Sequence, residues 1–207
     1  DPGRVTLRRL NRVEYNHTMR DLLGVDLQPA DQFPADDLGY GFDTIGDVLT
    51  LPPVLMERYW TAADRVLAAA FDAAGRPRTP QLQRDWPSGT NAAAQVRPFL
   101  HRFARRAFRR PVTDPELDRL AKLHANAVAG GLSIPAAMRV PLTAILVSPS
   151  FLFRSERAAG PGPTAATEWI DEHALASRLS YFLWSTLPDD ELSALADQGR
   201  LRAELEP

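Results

Sequence analysis

The sequence predicts a mainly α-helical fold, a multi-helix orthogonal or bundle-like array, on three observations. Nearly every apolar run repeats with the 3.6-residue period of a helix. Two capping boxes, Asn11-Arg-Val-Glu14 and Thr113-Asp-Pro-Glu116, mark helix starts. No run shows a convincing strand alternation, and no internal repeat stands out. The helical pattern is interrupted once at length, by a glycine- and aspartate-rich loop over residues 25–50, between the first two long helices.

In order along the chain, Asn11 caps the first helix and Gly24 offers its left-handed stop. Val13, Met19, Leu22 and Leu23 are expected to form its buried face, with His17 at the margin as a structural or surface residue. The second helix spans Pro52 to Ala74. Leu55, Tyr59, Ala62, Val66 and Ala70 fall on one side of it, opposite Glu57, Arg58, Asp64 and Arg65. It is expected to pack against the first. Arg76 to Thr90, with its prolines, Ser88 and Gly89, reads as a linker or excursion.

A third helix is expected from Pro98 to Arg110, with Phe99, Leu100, Phe103, Ala104, Ala107 and Phe108 on one half and arginines on the other. The arginine stripe reads as a solvated face that pairs with acidic loops, or as an anion surface. Thr113 restarts a helix that Leu117, Leu120, Ala121, Leu123 and Ala127 carry to Gly130-Gly131. From Ile134 to Val147 the apolar positions nearly encircle the axis, which marks the central buried helix, and Pro141 is expected to kink or divide it. Ser148 to Arg154 follows as an aromatic anchor. Arg157 to Thr167 reads as a second linker. Beyond it, Asp171 to Trp184 is amphipathic, with Leu175, Ala176, Leu179, Phe182 and Leu183 on the expected buried face and Ser177, Arg178, Ser180 and Tyr181 away from its centre. Pro188 to Leu192 begins a short helix with acidic residues in its first turn. The organisation read from this is an N-terminal helical module (1–75), a second (91–154) and the start of a third (168–207).

The loop carries the candidate chemistry. Gly39, Gly41 and Gly46 permit backbone angles closed to other residues, while Phe33, Tyr40, Phe42 and Ile45 are apolar anchors. Tyr40 and Phe42 are expected to be buried against the first two helices. Asp36, Asp37, Tyr40, Asp43 and Asp47 are the candidate site residues. Four carboxylates on such a loop can ligate Ca²⁺ or supply an acid–base pair for a glycoside; they can equally cap helices, make Asx-turns and meet arginines.

Composition narrows the alternatives. The 207 residues are 44% hydrophobic, enough for a sizeable core, and the net charge of −2 argues against a nucleic-acid partner. Lys122 is the only lysine, so 23 of the 24 basic residues are arginine. Without cysteine there is no disulfide, no thiolate metal site and no covalent haem attachment within these residues. The histidines His17, His101, His124 and His173 lack metal-motif spacing, and no cofactor is expected in this piece. No apolar run is long enough to span a membrane, and both ends look cut.

Three strings carry a family resemblance. Arg9-Leu-Asn-Arg-Val-Glu-Tyr-Asn16 with Arg20-Asp-Leu-Leu-Gly24 and Phe33-Pro-Ala-Asp-Asp-Leu-Gly-Tyr-Gly-Phe-Asp43 resembles the first of several domains of unknown function that occur together in planctomycete-type secreted cytochrome-like proteins. Phe103 to Val112 and Leu146 to Arg154 resemble the second, and Leu175 to Trp184 with Pro188 to Leu192 the opening of the third (series numbers 1587, 1595 and the start of 1592). The resemblance implies an extracytoplasmic protein, periplasmic or secreted, whose complete form often carries a haem c segment and further domains that act as partners. It transfers no catalytic residue. Two functional expectations follow: a non-catalytic helical module supporting extracytoplasmic electron transfer, or an extracellular polymer-binding or carbohydrate-degrading module that uses the aspartate-rich loop.

Overall fold

The computed structural model describes residues 7–35, 51–84, 86–156, 158–161 and 168–205. The fold is mainly α. Strand β1 (Arg8–Arg9) leads into α1 (Arg12–Leu23) and a 3-10 turn at Pro29–Gln32, followed by α2 (Pro53–Ala70), α3 (Pro80–Gln83), α4 (Ala92–Phe108) and α5 (Asp114–Ala129). Then come α6 (Ile134–Ala137), α7 (Arg139–Leu146), α8 (Pro149–Leu152), β2 (Phe153–Arg154), β3 (Ala158–Pro161), β4 (Glu168–Ile170), α9 (Glu172–Trp184), α10 (Asp190–Asp197) and α11 (Leu201–Leu205).

The first helix starts as its capping box predicts. Asn11 Oδ1 accepts from the Glu14 N–H at 2.8 Å, and Glu14 Oε2 accepts from the Asn11 N–H at 3.1 Å. At its end Gly24 takes φ 73°, and its N–H bonds Arg20 O. A Cβ there would come within 2.9 Å of Thr79 Cβ, so a side chain is excluded twice, by angle and by space. Thr79 Oγ1 donates to Leu23 O at 2.6 Å and ties this end to the approach of α3.

One continuous core runs from Leu10 to Leu187. At its centre the Tyr15 ring lies 5.3 Å from Phe33, 5.1 Å from Tyr59 and 6.1 Å from Phe151. Phe33 is thus the loop anchor that the structure describes, and it is buried. The segments that carry Asp36, Asp37, Tyr40, Phe42, Asp43 and Asp47 lie outside the described residues. Helix α7 buries Leu142, Ile145 and Leu146 fully, while Val140 is 38% exposed, so the helix is central on one face and does not bury the whole circumference that its encircling apolar pattern predicts. A smaller cluster of Ala176, Ala196 and Leu201 joins α9 to α10 and α11.

Several expectations are corrected. Strands are present: β1 pairs antiparallel with β2 (Arg8 opposite Arg154, Arg9 opposite Phe153), and β3 pairs antiparallel with β4. Two to four residues per strand are too few to leave a period-2 signal. Helix α4 begins at Ala92, before Pro98, because Pro98 faces solvent, where water replaces the backbone bond that proline removes. The 134–147 helix is divided, as Pro141 predicts; the break falls at Met138, three residues earlier, so that Pro141 sits in the first turn of α7, where its missing N–H costs nothing. The stretch from Arg76 to Thr90 is an excursion packed on the core, with Leu82 fully buried and Trp86 5.3 Å from Phe71 and 5.0 Å from Phe99. Val13 is 50% exposed, since it stands about 160–180° round the helix axis from Tyr15 and Leu22. Leu123 is also exposed, and His124 is buried in its place, with Nε2 3.1 Å from Ile134 O.

Candidate functional site

The largest correction is in α9, and it shapes the site. Phe182 is 86% exposed, and Leu183 and Trp184 are more than half exposed, while Ser177, Ser180 and Tyr181 are buried. The buried Ser180 hydroxyl is satisfied by donating to Thr186 O at 2.7 Å. Tyr181 enters the core because polar partners await it. Its hydroxyl meets Thr18 Oγ1 at 2.8 Å, and its ring is flanked by the guanidiniums of Arg154 at 4.9 Å and Arg109 at 5.7 Å.

Above this point a groove of about 760 Å³ opens between the start of α1 and α9. Its apolar wall is Val13, Leu175, Leu179 and Phe182; its polar floor includes Arg8, Glu14 and Arg154. Capping chemistry fixes Glu14, whose Oε1 accepts from Arg8 Nη2 at 2.5 Å and lies 3.7 Å from Arg154 Nη1. One carboxylate therefore faces two arginines. Burial, and next the Arg8 charge, push the Arg154 guanidinium down to about 10. On the rim Arg178 pairs with Glu156 at 2.6 Å.

The arginine stripe of α4 divides by role. Arg97 meets Asp118 at 2.5 Å and Arg105 meets Asp197, so these pair with helices. Arg109 turns inward at φ 57° and donates to Ala107 O, Ser150 O, Phe151 O and Phe153 O at 2.9–3.2 Å. Arg110 makes a two-pronged bond to Glu116, at 2.7 and 3.1 Å, and reaches Ser150 Oγ. A second cleft, of about 360 Å³, lies between α4 and α10 and is lined by Arg102, Arg105, Arg106, Asp190 and Asp197. Its opposite charges include the Arg105–Asp197 pair and Arg84–Asp190 at 3.4 Å. Among the described residues no three histidine or carboxylate side chains gather to hold a metal, and no helix is long and apolar enough to cross a membrane.

Residues 8–72 match the family model PSD3, protein of unknown function (DUF1587); residues 95–156 match PSD5 (DUF1595), and residues 170–206 match PSD4 (DUF1592). The three matches follow one another along the chain. No curated protein and no solved structure matches it. In the PSD3 segment Arg9 reaches the Tyr59 hydroxyl at 2.9 Å, and Arg12 and Asn16 grip the backbone of Ala30 and Asp31, which delivers Phe33 to Tyr15. In the PSD5 segment Arg109 clamps the carbonyls of Phe151 and Phe153, at the entry to β2. In the PSD4 segment Tyr181 closes the junction. Thr18, Arg109, Arg154 and Tyr181 come from all three segments and meet at one point. Periodicity alone could not find this meeting, because Tyr181 breaks the amphipathic pattern of α9 and Arg109 turns inward just past the end of α4.

Proposed function

We propose that the chain is a non-catalytic helical module of an exported, cytochrome-associated multidomain protein, and that its groove docks another domain of that protein in support of extracytoplasmic electron transfer. The observation that carries the docking is the apolar wall of the groove, where Val13 is 50% and Phe182 86% exposed beside Leu175 and Leu179, above a charged floor. Contiguous apolar surface of this kind marks interaction sites. A non-catalytic role is supported by the use of the motif side chains: Arg9, Asn11, Arg12, Glu14, Asn16, Arg109 and Tyr181 are engaged in structural hydrogen bonds. The exported, cytochrome-like setting is supported by the resemblance of the three strings. Haem c would belong to another part of the protein, because these 207 residues contain no cysteine to form a thioether.

The test is to express the chain and the remainder of its full-length protein as separate polypeptides and measure their association by gel filtration and calorimetry. A stoichiometric complex is expected, weakened about tenfold or more by Phe182→Asp. No association with any adjoining domain would overturn the reading.

A further inference from the structure

The groove's floor is charged in a way that constrains its occupant. Arg154 has a side chain only 12% exposed, and its Nε–H has no hydrogen-bond partner among the described residues. Its nearest carboxylate oxygen, Glu14 Oε1 at 3.7 Å, is already bonded to Arg8 at 2.5 Å. Arg109, 5.7 Å from the centroid of the same Tyr181 ring, adds a second guanidinium, whose bonds among the described residues go to carbonyl oxygens and the Tyr181 hydroxyl rather than to a carboxylate. Carbonyl dipoles satisfy donors but do not cancel charge. Among the described residues, neither Arg154 nor Arg109 therefore has a carboxylate to itself in this half-desolvated place, an arrangement that is costly until an anion completes it. The walls, Val13, Leu175, Leu179 and Phe182, ask for hydrocarbon.

We propose that the segment docking in this groove presents a carboxylate beside an apolar side chain, with the Arg154 guanidinium meeting the carboxylate and Val13, Leu179 and Phe182 meeting the apolar group. The inference rests on the docking reading above and names the chemistry of its partner. Arginine suits the role because its planar fork takes a carboxylate through two parallel bonds. Arg8 and Glu14 position that fork, and Tyr181 supports it from behind.

A minimal mimic separates charge from shape. The full chain is titrated with 3-phenylpropionate and with its uncharged isostere, 3-phenylpropionamide, by nuclear magnetic resonance. The acid is expected to shift resonances of Leu179 and Phe182, to bind about tenfold or more tightly than the amide, and to weaken with added salt. Arg154→Met should abolish the preference for the acid. Should that variant unfold, Leu179→Asp puts a carboxylate in the groove and should block the acid while the fold persists. Equal binding of acid and amide, or binding of neither at millimolar concentration, overturns the carboxylate assignment. Loss of the docking reading looks different, since the acid would still bind while the separately expressed domains failed to associate.

Discussion

Buried polar groups decide the behaviour of single residues here, and Tyr15 and Glu116 do so with opposite signs. Tyr15 lies at the centre of the aromatic cluster, and its hydroxyl has no hydrogen-bond partner among the described residues. Burial first, and then Tyr59, push that hydroxyl well above the usual tyrosine range. Tyr15→Phe removes an unsatisfied buried group and keeps the ring, so stability in urea should stay within about 0.5 kcal/mol or rise by up to ~1 kcal/mol. A loss beyond ~2 kcal/mol would mean the hydroxyl is bonded. Glu116 is satisfied several times over, by Arg110 and by the N–H and hydroxyl of Thr113. The Arg110 bond, the largest cause, helps to bring its carboxyl down from 4.5 to about 2. A carboxylate with a depressed folded value stabilises fully above its unfolded value and loses that contribution as pH falls. The window here runs from about 4.5 to about 2. The full shift corresponds to ~3 kcal/mol, which solvent at the rim screens to about 1–2 kcal/mol. Glu116→Gln should therefore cost about that much at pH 7 and flatten the acid limb of a stability–pH curve; an unchanged limb would remove Glu116 from the acid response.

At the scale of elements, the helices whose buried face is set by size and periodicity were legible in the sequence, and those set by polar partners were not. Helix α2 buries Leu55, Tyr59, Ala62, Val66 and Ala70 as its 3.6-residue pattern predicts, and both capping boxes form. Helix α9 defeats the same reasoning, because Tyr181 gains Thr18 and two guanidiniums from elements up to 163 residues away in sequence. The β1–β2 pairing was hidden for the same reason, since what specifies it is a long-range contact and not a local pattern. Of the candidate site residues, Asp36, Asp37, Tyr40, Asp43 and Asp47 lie outside the described residues, and the groove beside α9 was not legible at all. A paired substitution tests the orientation of α9. Phe182→Ser should change stability by no more than about 0.5 kcal/mol, as exposed positions do, whereas Tyr181→Ala should cost about 3–5 kcal/mol. The reverse order would restore the face that periodicity predicts.

For the whole molecule, the question is whether the three matched segments are also three folding units. The contacts argue that at least the first two fold as one. Strand β1 of the PSD3 segment finds its partner in β2 of the PSD5 segment, and the Leu10 N–H continues the pairing to Leu152 O at 2.9 Å. Phe151 is fully buried and edges onto Tyr15 across the same boundary, and Arg139 of α7 meets Asp64 of α2 at 2.9 Å. A piece ending near residue 90 would leave the β1 edge unpaired and one side of Tyr15 open to water, on a core that small size already makes marginal. Such a piece should unfold without a cooperative transition, whereas the full chain should show one transition for α1 and α7 alike. Phe151→Ala sharpens the test, because it deletes a ring that belongs by sequence to the second segment and by contact to both. It should lower the stability of both together by about 3–5 kcal/mol, the range for removing a core aromatic. Hydrogen exchange resolved by helix provides the measurement: if α7 loses protection in this variant while α1 keeps its own, the segments are independent domains and the shared core is only a contact between them.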